Sequence, residues 1–361
     1  MEHLTVGLGN RSYPIYLGDD ALGVLPRVLS DLSVFGTVAI VTDTNVAPLY
    51  GDRITELVRQ ADVDARLCTI PAGEQHKRLE QVDYLCGEFL DAGLDRSSVV
   101  LALGGGVVGD IAGYAAASYM RGIRHVQVPT TIVAQVDSSV GGKTGVNHAR
   151  AKNIIGAFHQ PSAVVIDLTL LKTLPERELR AGLAEVIKHG IIADAILFSY
   201  MEEQSEAVLA GTLHVLQYPV KRSCEIKSAI VSADERELGL RANLNYGHTF
   251  GHGIEAASGY KTFLHGEAIS LGMIAAGTLA RNLGLVGDEF VQRQERCLVA
   301  YGLPVRWPEI PIDQVIDAMR HDKKAQAGTL KFVVADEIGH VVQRTDVSIQ
   351  QARTALESLR G

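Results

Sequence analysis

Cysteine is scarce. The four present, Cys68, Cys86, Cys224 and Cys297, lie far apart and form no C-x-x-C pair, so neither a disulfide framework nor a thiolate zinc site is expected, and they read as buried thiols. Long apolar runs are missing too: no stretch reaches the roughly 18 uncharged apolar residues that a membrane-spanning helix requires. Residues 1–16 have no basic region followed by an apolar one, so no secretory leader is expected and the expected location is the cytoplasm. Positive charge is in deficit. A net charge of -8 sets the chain against nucleic acid and anionic membranes, which both need a basic face, and an anionic small ligand would need a local basic cluster to overcome the overall field. Internal repeats and low-complexity linkers are also lacking. What remains is 47% hydrophobic and 21% charged, a composition that folds. At 361 residues the chain exceeds the usual size of one hydrophobic core, so two domains with a cleft between them are expected.

The first half alternates short β-branched runs with amphipathic stretches: strands at 37–42, 65–70 and 98–103, and helices near 53–61 and 78–92. This is the βαβ rhythm of a parallel sheet. Residues 126–129 and 163–167 read as further strands followed by polar or glycine-containing loops. From there the pattern turns helical, with helices expected at 176–203, 212–232, 247–257 and 267–283 and two or three more to the end. Thr173-Leu174-Pro175-Glu176 fits a capping box with Pro in the first turn, which places the border at Thr173 and gives domains 1–172 and 173–361. A short hairpin is expected from 329–334 and 339–343.

Residues 98–103 run as a strand into Gly104-Gly105-Gly106-Val107-Val108-Gly109-Asp110, and an alanine-rich helix follows. Strand, glycine turn and helix together present bare N–H groups to a pyrophosphate, with a favourable helix-dipole contribution of roughly 0.3 to 1 kcal/mol. The turn is not G-x-G-x-x-G, and such turns serve tight packing about as often. Asp43 and Asn45 follow another strand end, where a carboxylate can accept from ribose hydroxyls. Pro71-Ala72-Gly73-Glu74 with Lys77, and Thr130-Thr131, sit at strand ends as well.

His248 and His252 are four apart, which sets both imidazoles on one helical face. Alone, such a pair is as readily two hydrogen-bonded core histidines. His265 at the start of the next helix and Glu185 on a helix otherwise reading as core change the balance, because buried carboxylates and imidazoles need compensation that a divalent cation supplies. One Glu and two His form a three-ligand site with open positions, the catalytic kind. Three histidines compete for two places, and spacing does not choose among them. Arg121, Lys143, Lys152, Lys188, Lys227, Arg241 and Lys323-Lys324 all neighbour these motifs, and the glycine-rich segment 136–143 is suited to wrapping a phosphate.

In these segments the chain resembles the 3-dehydroquinate synthases of the shikimate pathway along nearly its whole length. The carrying motifs are Pro71-Ala72-Gly73-Glu74, residues 104–110, Tyr119-Met120-Arg121-Gly122, Val128-Pro129-Thr130-Thr131, residues 137–144, Lys152-Asn153, residues 184–190, residues 245–252 and Leu264-His265-Gly266-Glu267. The resemblance implies a dehydroquinate synthase-like fold: an α/β N-terminal domain with a parallel-sheet, dinucleotide-binding architecture and a mainly α-helical C-terminal domain, with the active site in the cleft. It implies that Glu185, His248 and His265 hold one divalent ion, zinc or cobalt, with His252 outside that set as a proton relay. NAD would be bound by Asp43, Glu74, Lys77, Gly105, Gly106, Val107, Asp110, Thr130, Thr131 and Thr173, with Asn45, Lys143 and Lys152 beside it. Asp137, Lys143, Asn153 and Lys188 join His252 as the catalytic set, while Arg121, Lys152, Lys227, Arg241, Asn245 and one of the Lys323-Lys324 pair, taken as Lys324, hold the substrate. That substrate is a sugar phosphate, 3-deoxy-D-arabino-heptulosonate 7-phosphate. The implied reaction oxidises C5 with NAD, eliminates phosphate, returns the hydride and closes the ring by an aldol step to 3-dehydroquinate, in a homodimer whose Arg121 reaches across the interface. A metal-dependent polyol or glycerol-type dehydrogenase is the nearest rival and would accumulate NADH. Other sugar phosphate cyclases share the frame, and an NAD-sensing binding protein would need no open metal position.

Overall fold

An unbroken apolar run such as Val99–Gly104 is stable only where both faces of a strand are covered, which is how helices flank a parallel sheet. The computed structural model, which describes residues 1–323 and 330–361, shows this arrangement in the first of two units. That unit comprises Met1–Leu174 together with Lys227–Glu235. Its elements are β1 (Glu2–Val6), β2 (Tyr13–Gly18), α1 (Leu25–Asp31), β3 (Val38–Asp43), α2 (Ala47–Arg59), β4 (Ala65–Ile70), α3 (Leu79–Asp91), β5 (Val99–Gly104), α4 (Gly106–Ser118), β6 (Arg124–Pro129), β7 (Lys143–His148), β8 (Ala151–Phe158) and β9 (Ala163–Asp167). Seven strands form one sheet in the order β1-β2-β9-β6-β5-β3-β4. The β1–β2 pair is antiparallel and the other pairs are parallel.

All of β5 is buried. Val99, Leu101 and Leu103 enter the core with Leu25, Val28, Ile54 and Val58 of α1 and α2, while Val100 and Ala102 enter the opposite core with Leu85, Phe89, Ile111 and Ala115 of α3 and α4. The chain runs from β3 to β4 on one side and returns to β5 on the other, so the strand order reverses between β3 and β5. Open parallel sheets bind ligands beyond the carboxyl ends of strands at such a reversal. Here those ends are Asp43 and Gly104.

The second unit, Pro175–Ile226 with Arg236–Gly361, is helical. It contains α5 (Glu176–Ala193), α6 (Ala195–Glu203), α7 (Ser205–Leu209), most of α8 (Leu213–Ala233), α9 (His248–Ala257), α10 (His265–Asn282), α11 (Asp288–Ala300), α12 (Ile312–Lys323), the hairpin β10 (Phe332–Glu337) and β11 (His340–Arg344), and α13 (Ile349–Glu357). Buried along nearly its whole length, α10 packs on α5, α9, α11 and α13, as a helix without a polar face must. Two glycines let it approach closely. A Cβ on Gly266 would lie 1.7 Å from the Ala181 carbonyl oxygen of α5, and one on Gly272 would lie 2.1 Å from the Gly247 carbonyl oxygen at the head of α9.

Several sequence expectations change. The helix expected over 176–203 breaks at Asp194, whose carboxylate accepts from the N–H groups of Ile196 and Leu197 and starts α6. Thr173 does not cap α5: Pro175 takes that position without a side-chain bond, and the Thr173 hydroxyl lies 2.6 Å from the Tyr50 hydroxyl. The division falls after Leu174, and the end of α8 from Lys227 onward belongs with the first unit. The stretch 143–158, expected as a polar loop, is the antiparallel β7–β8 hairpin. The later hairpin begins at Phe332; Thr329, where it was expected to start, lies outside the described residues.

Candidate active site

In the second unit the close packing of α5, α9 and α10 aims three side chains at one point. Glu185 projects from α5, His248 opens α9 and His265 opens α10. Their ligand atoms all lie within 4.8 Å of one another. The Nε2 atoms of His265 and His248 stand 3.4 and 3.8 Å from Glu185 Oε1. Their other nitrogens are occupied: His248 Nδ1 is 3.2 Å from the Tyr246 carbonyl oxygen, and His265 Nδ1 is 3.4 Å from Glu255 Oε1. Glu185 is fully buried, and among the described residues neither of its oxygens has a hydrogen-bond partner of good geometry, although Lys188 meets Oε2 as an ion pair. A divalent cation satisfies such oxygens, and two neutral imidazoles with one carboxylate suit zinc or cobalt while leaving positions open.

The charge states of Glu185 and His248 agree with this fit, whereas His265, held protonated by its two carboxylates without an ion, would have to release its Nε2 proton to one. Burial opposes the Glu185 carboxylate, but Lys188, His265 and His248 outweigh it and hold the carboxyl well below its usual range. Burial, reinforced by the Lys188 charge, pushes the His248 imidazole far down, so it stays neutral as a metal ligand must. For His265, burial is opposed by hydrogen bonds to Glu185 and Glu255, which raise it to about 10. His252 stands beside both histidines, its ring centroid 5.3 Å from His248 and 6.2 Å from His265.

In the first unit, α4 starts directly after the glycine turn, and no side chain caps it. Its first N–H groups are therefore left for an outside acceptor, a setting suited to a pyrophosphate. Thr131 and Ser138 crowd the turn: a Cβ on Gly105 would lie 3.2 Å from the Thr131 methyl and one on Gly106 3.0 Å from the Ser138 hydroxyl. Across the strand-order reversal, Asp43 accepts from the N–H groups of Asn45 and Val46 at 2.8 and 2.9 Å, which ties its carboxylate to the start of α2. The nearly buried Lys77 ammonium donates to Asp110 at 2.5 Å and to Asn153 at 2.6 Å. Asn147 donates to Glu74 at 2.8 Å and accepts from the Asn153 N–H at 2.8 Å, which joins the Glu74 loop to the β7–β8 hairpin. Asp137 lies in a π-helical turn, Ala134–Ser138, and accepts from Lys227 through its carboxylate and its carbonyl.

Models of the N-terminal and C-terminal domains of 3-dehydroquinate synthase match residues 67–181 and 182–325. A 3-dehydroquinate synthase of Desulforamulus reducens is 49% identical over 94% of this chain and 95% of its own. The chain belongs to the 3-dehydroquinate synthase family. A second relative of that name, from Acidithiobacillus ferrooxidans, is 48% identical over 95% of this chain and 94% of its own. Among solved structures, the 2-epi-5-epi-valiolone synthase of Streptomyces hygroscopicus with NAD+ and Zn2+ bound matches at a TM-score of 0.90 and 31% identity, covering 98% of each chain. A probable glycerol dehydrogenase from Sinorhizobium meliloti matches at 0.64 and 16% identity over 96% of each chain, a likeness of fold alone.

Within this member of the 3-dehydroquinate synthase family, the structure gathers Glu74, Lys77, Asp110, Lys152 and Asn153 in one network, with Lys152 Nζ 3.8 Å from Glu74 Oε1. Lys143 opens β7 with an exposed side chain, and Thr130 donates its N–H to the Gly104 carbonyl at 3.0 Å, against the turn that Gly105, Gly106 and Val107 continue. In the second unit, Lys188 sits on Glu185, Arg241 is buried, and Asn245 donates to Glu237 at 2.6 Å. Arg121 stands apart. It lies beyond the far end of α4 from the glycine turn, roughly 20 Å along a 13-residue helix, and lines a cavity of about 500 Å³ with Arg96, Arg124 and His159. Thr173 contacts Tyr50 instead of this group. Lys324 lies outside the described residues, and Lys323 ends α12. Sequence reasoning missed Asn147, Glu237 and Glu255. The last carried a readable signal, three residues after His252 on the same helix face. Asn147 was hidden by the reading of its hairpin as a loop, and Glu237 carries no local pattern.

Proposed function

We propose that this chain is a cytoplasmic, homodimeric enzyme that converts 3-deoxy-D-arabino-heptulosonate 7-phosphate to 3-dehydroquinate and phosphate. The observation that carries the reading is the convergence of Glu185, His248 and His265, with the Glu185 carboxylate fully buried, in a chain whose family performs this cyclisation. The reading assigns the metal to those three residues and NAD to the glycine turn with Asp43, Glu74, Lys77 and Asp110. When bound, NAD supplies a hydride acceptor that later returns the hydride, and zinc or cobalt supplies a Lewis acid for the alcohol being oxidised.

The chain's own residues hold and orient. Lys143 and Lys152 clamp the phosphate by charge, joined by Arg121 from the second copy, since its distance from the turn fits service to a neighbouring site. Holding a flexible sugar phosphate in reacting geometry can contribute roughly 7 to 11 kcal/mol. Arg241 and Lys227 suit the substrate carboxylate, and with Asn245 they favour the heptulosonate over sugars that lack one. His252 carries the proton released from the alcohol, and Lys188, Asp137 and Asn153 fix the hydroxyls nearest the reacting carbons. The experiment is phosphate release from the heptulosonate phosphate with and without a chelator. Release should vanish with chelator and return with added zinc or cobalt. Oxidation of a polyol with no phosphate released would instead make this chain a dehydrogenase.

A further inference from the structure

Both imidazoles that face Glu185 through Nε2 are held from behind. For His248 the partner is a backbone carbonyl oxygen, but for His265 it is a carboxylate, that of Glu255. Glu255 is 4% exposed and lies on α9, one turn beyond His252 and two beyond His248, so all three occupy one helix face. A carboxylate this deeply placed is costly unless charge-assisted bonds satisfy it. The His265 Nδ1–H supplies one such bond, and through it α9 braces the ligand that opens α10.

We propose that Glu255 is a positioning residue: by accepting the Nδ1–H of His265 it fixes the tautomer that leaves the Nε2 lone pair facing Glu185, and so tightens the site's hold on its divalent ion. This rests on the metal assignment above. Carboxylates behind ligating histidines typically change metal affinity by roughly 10- to 100-fold. Ligand atoms of His252, Glu255 and His265 also lie within 4.8 Å of one another, so a second bound ion is the competing outcome.

The test is zinc affinity by competition with a chromophoric chelator, together with the visible spectrum of the cobalt-loaded protein, for wild type, Glu255→Ala, Glu255→Gln and Glu185→Gln. Glu255→Ala should bind zinc about 10- to 100-fold more weakly and shift the cobalt bands. Glu255→Gln, whose amide oxygen still accepts from Nδ1–H, should lose less and keep the band positions, and Glu185→Gln should lose most. If Glu255→Ala fails to fold, a weakened cobalt affinity in a folded Glu255→Gln carries the inference, and an unchanged one overturns it. Equal zinc affinity and identical cobalt spectra in wild type and Glu255→Ala would overturn this inference alone. Uptake of a second ion by wild type that Glu255→Gln abolishes, with the first ion bound as before, would overturn it as well. Failure of wild type to bind any ion would remove the metal assignment and this inference with it.

Discussion

At His125 the imidazole is 1% exposed, stacked on His159 with centroids 5.0 Å apart, and neither ring nitrogen has a hydrogen-bond partner among the described residues. Burial, with His159 beside it, pushes this histidine down to about 3, so it is neutral in the fold, whereas in the unfolded chain it titrates near about 6.5. Between those values the unfolded state binds a proton that the folded state does not. The stability is therefore present above the unfolded pKa and lost as pH falls, by up to roughly 1.4 kcal/mol per pH unit. His125→Gln should remove that proton from the balance, so urea unfolding measured between pH 6 and about 4 should show a shallower loss of stability than wild type. An identical slope would mean that this imidazole is not held neutral. The cluster of Glu185, His248 and His265 shows what single side chains revealed in advance. Two histidines four apart and a glutamate on an apolar helix were legible as a cation site, yet spacing left three histidines competing for two places. Only the backbone approach of α10 to α5 and α9 brings the Nε2 atoms of His248 and His265 to Glu185 and leaves His252 beside them.

Elements were legible where burial is two-sided. The parallel strands β3, β5, β6 and β9 need apolar residues facing both helical layers, which produces runs that stand out from their surroundings. The edge strand β1 and the hairpin strand β8 were missed because their residues answer to solvent on one side: β1 alternates half-buried and exposed residues, and so largely does β8, with Lys152 and Asn153 among them. That error hid Asn147, although Lys143, Lys152 and Asn153 on the same hairpin were read from their motifs. The Asp194 break went unread because apolar residues continue on both sides of it, and the deciding signal is one carboxylate that caps α6. The α5–α10 contact yields a prediction of its own. A methyl group on Gly266 would lie 1.7 Å from the Ala181 carbonyl oxygen, which neither helix can absorb without moving. Gly266→Ala should therefore cost about 1–3 kcal/mol or more, lowering Tm by several degrees, and should weaken zinc binding as His265 shifts. Gly87→Ala in α3 is the control, since nothing lies within 4 Å of its added methyl; it should hold or raise Tm, by about 0.5–1 kcal/mol of helix stability. Equal Tm values for Gly266→Ala and wild type would contradict the packing described here.

For the whole molecule, an overall charge of -8 coexists with lysines at the candidate sites of each unit, and the structure shows how each is tolerated. Lys77, Lys152, Lys188 and Lys227 each lie against a carboxylate: Asp110, Glu74, Glu185 and Asp137. Each of these cations is thus placed by a neighbouring acid, and an anionic ligand would compete with that acid for it. Fold class was readable because the sheet, the glycine turn and the helical half follow one another along the chain, and the reaction type only through the resemblance to the 3-dehydroquinate synthases. The return of Lys227–Glu235 to the first unit was not, because nothing inside a continuous helix marks a change of unit. Among the described residues no helix is long and apolar enough to cross a membrane.

The central claim is that this chain uses NAD as a catalyst rather than a reactant, and the most direct test supplies one equivalent of NAD per chain with excess heptulosonate phosphate and zinc. Phosphate release should continue through many turnovers with no net rise in NADH absorbance, whereas release that stops at one phosphate per NAD, or NADH that accumulates with product, would contradict the account.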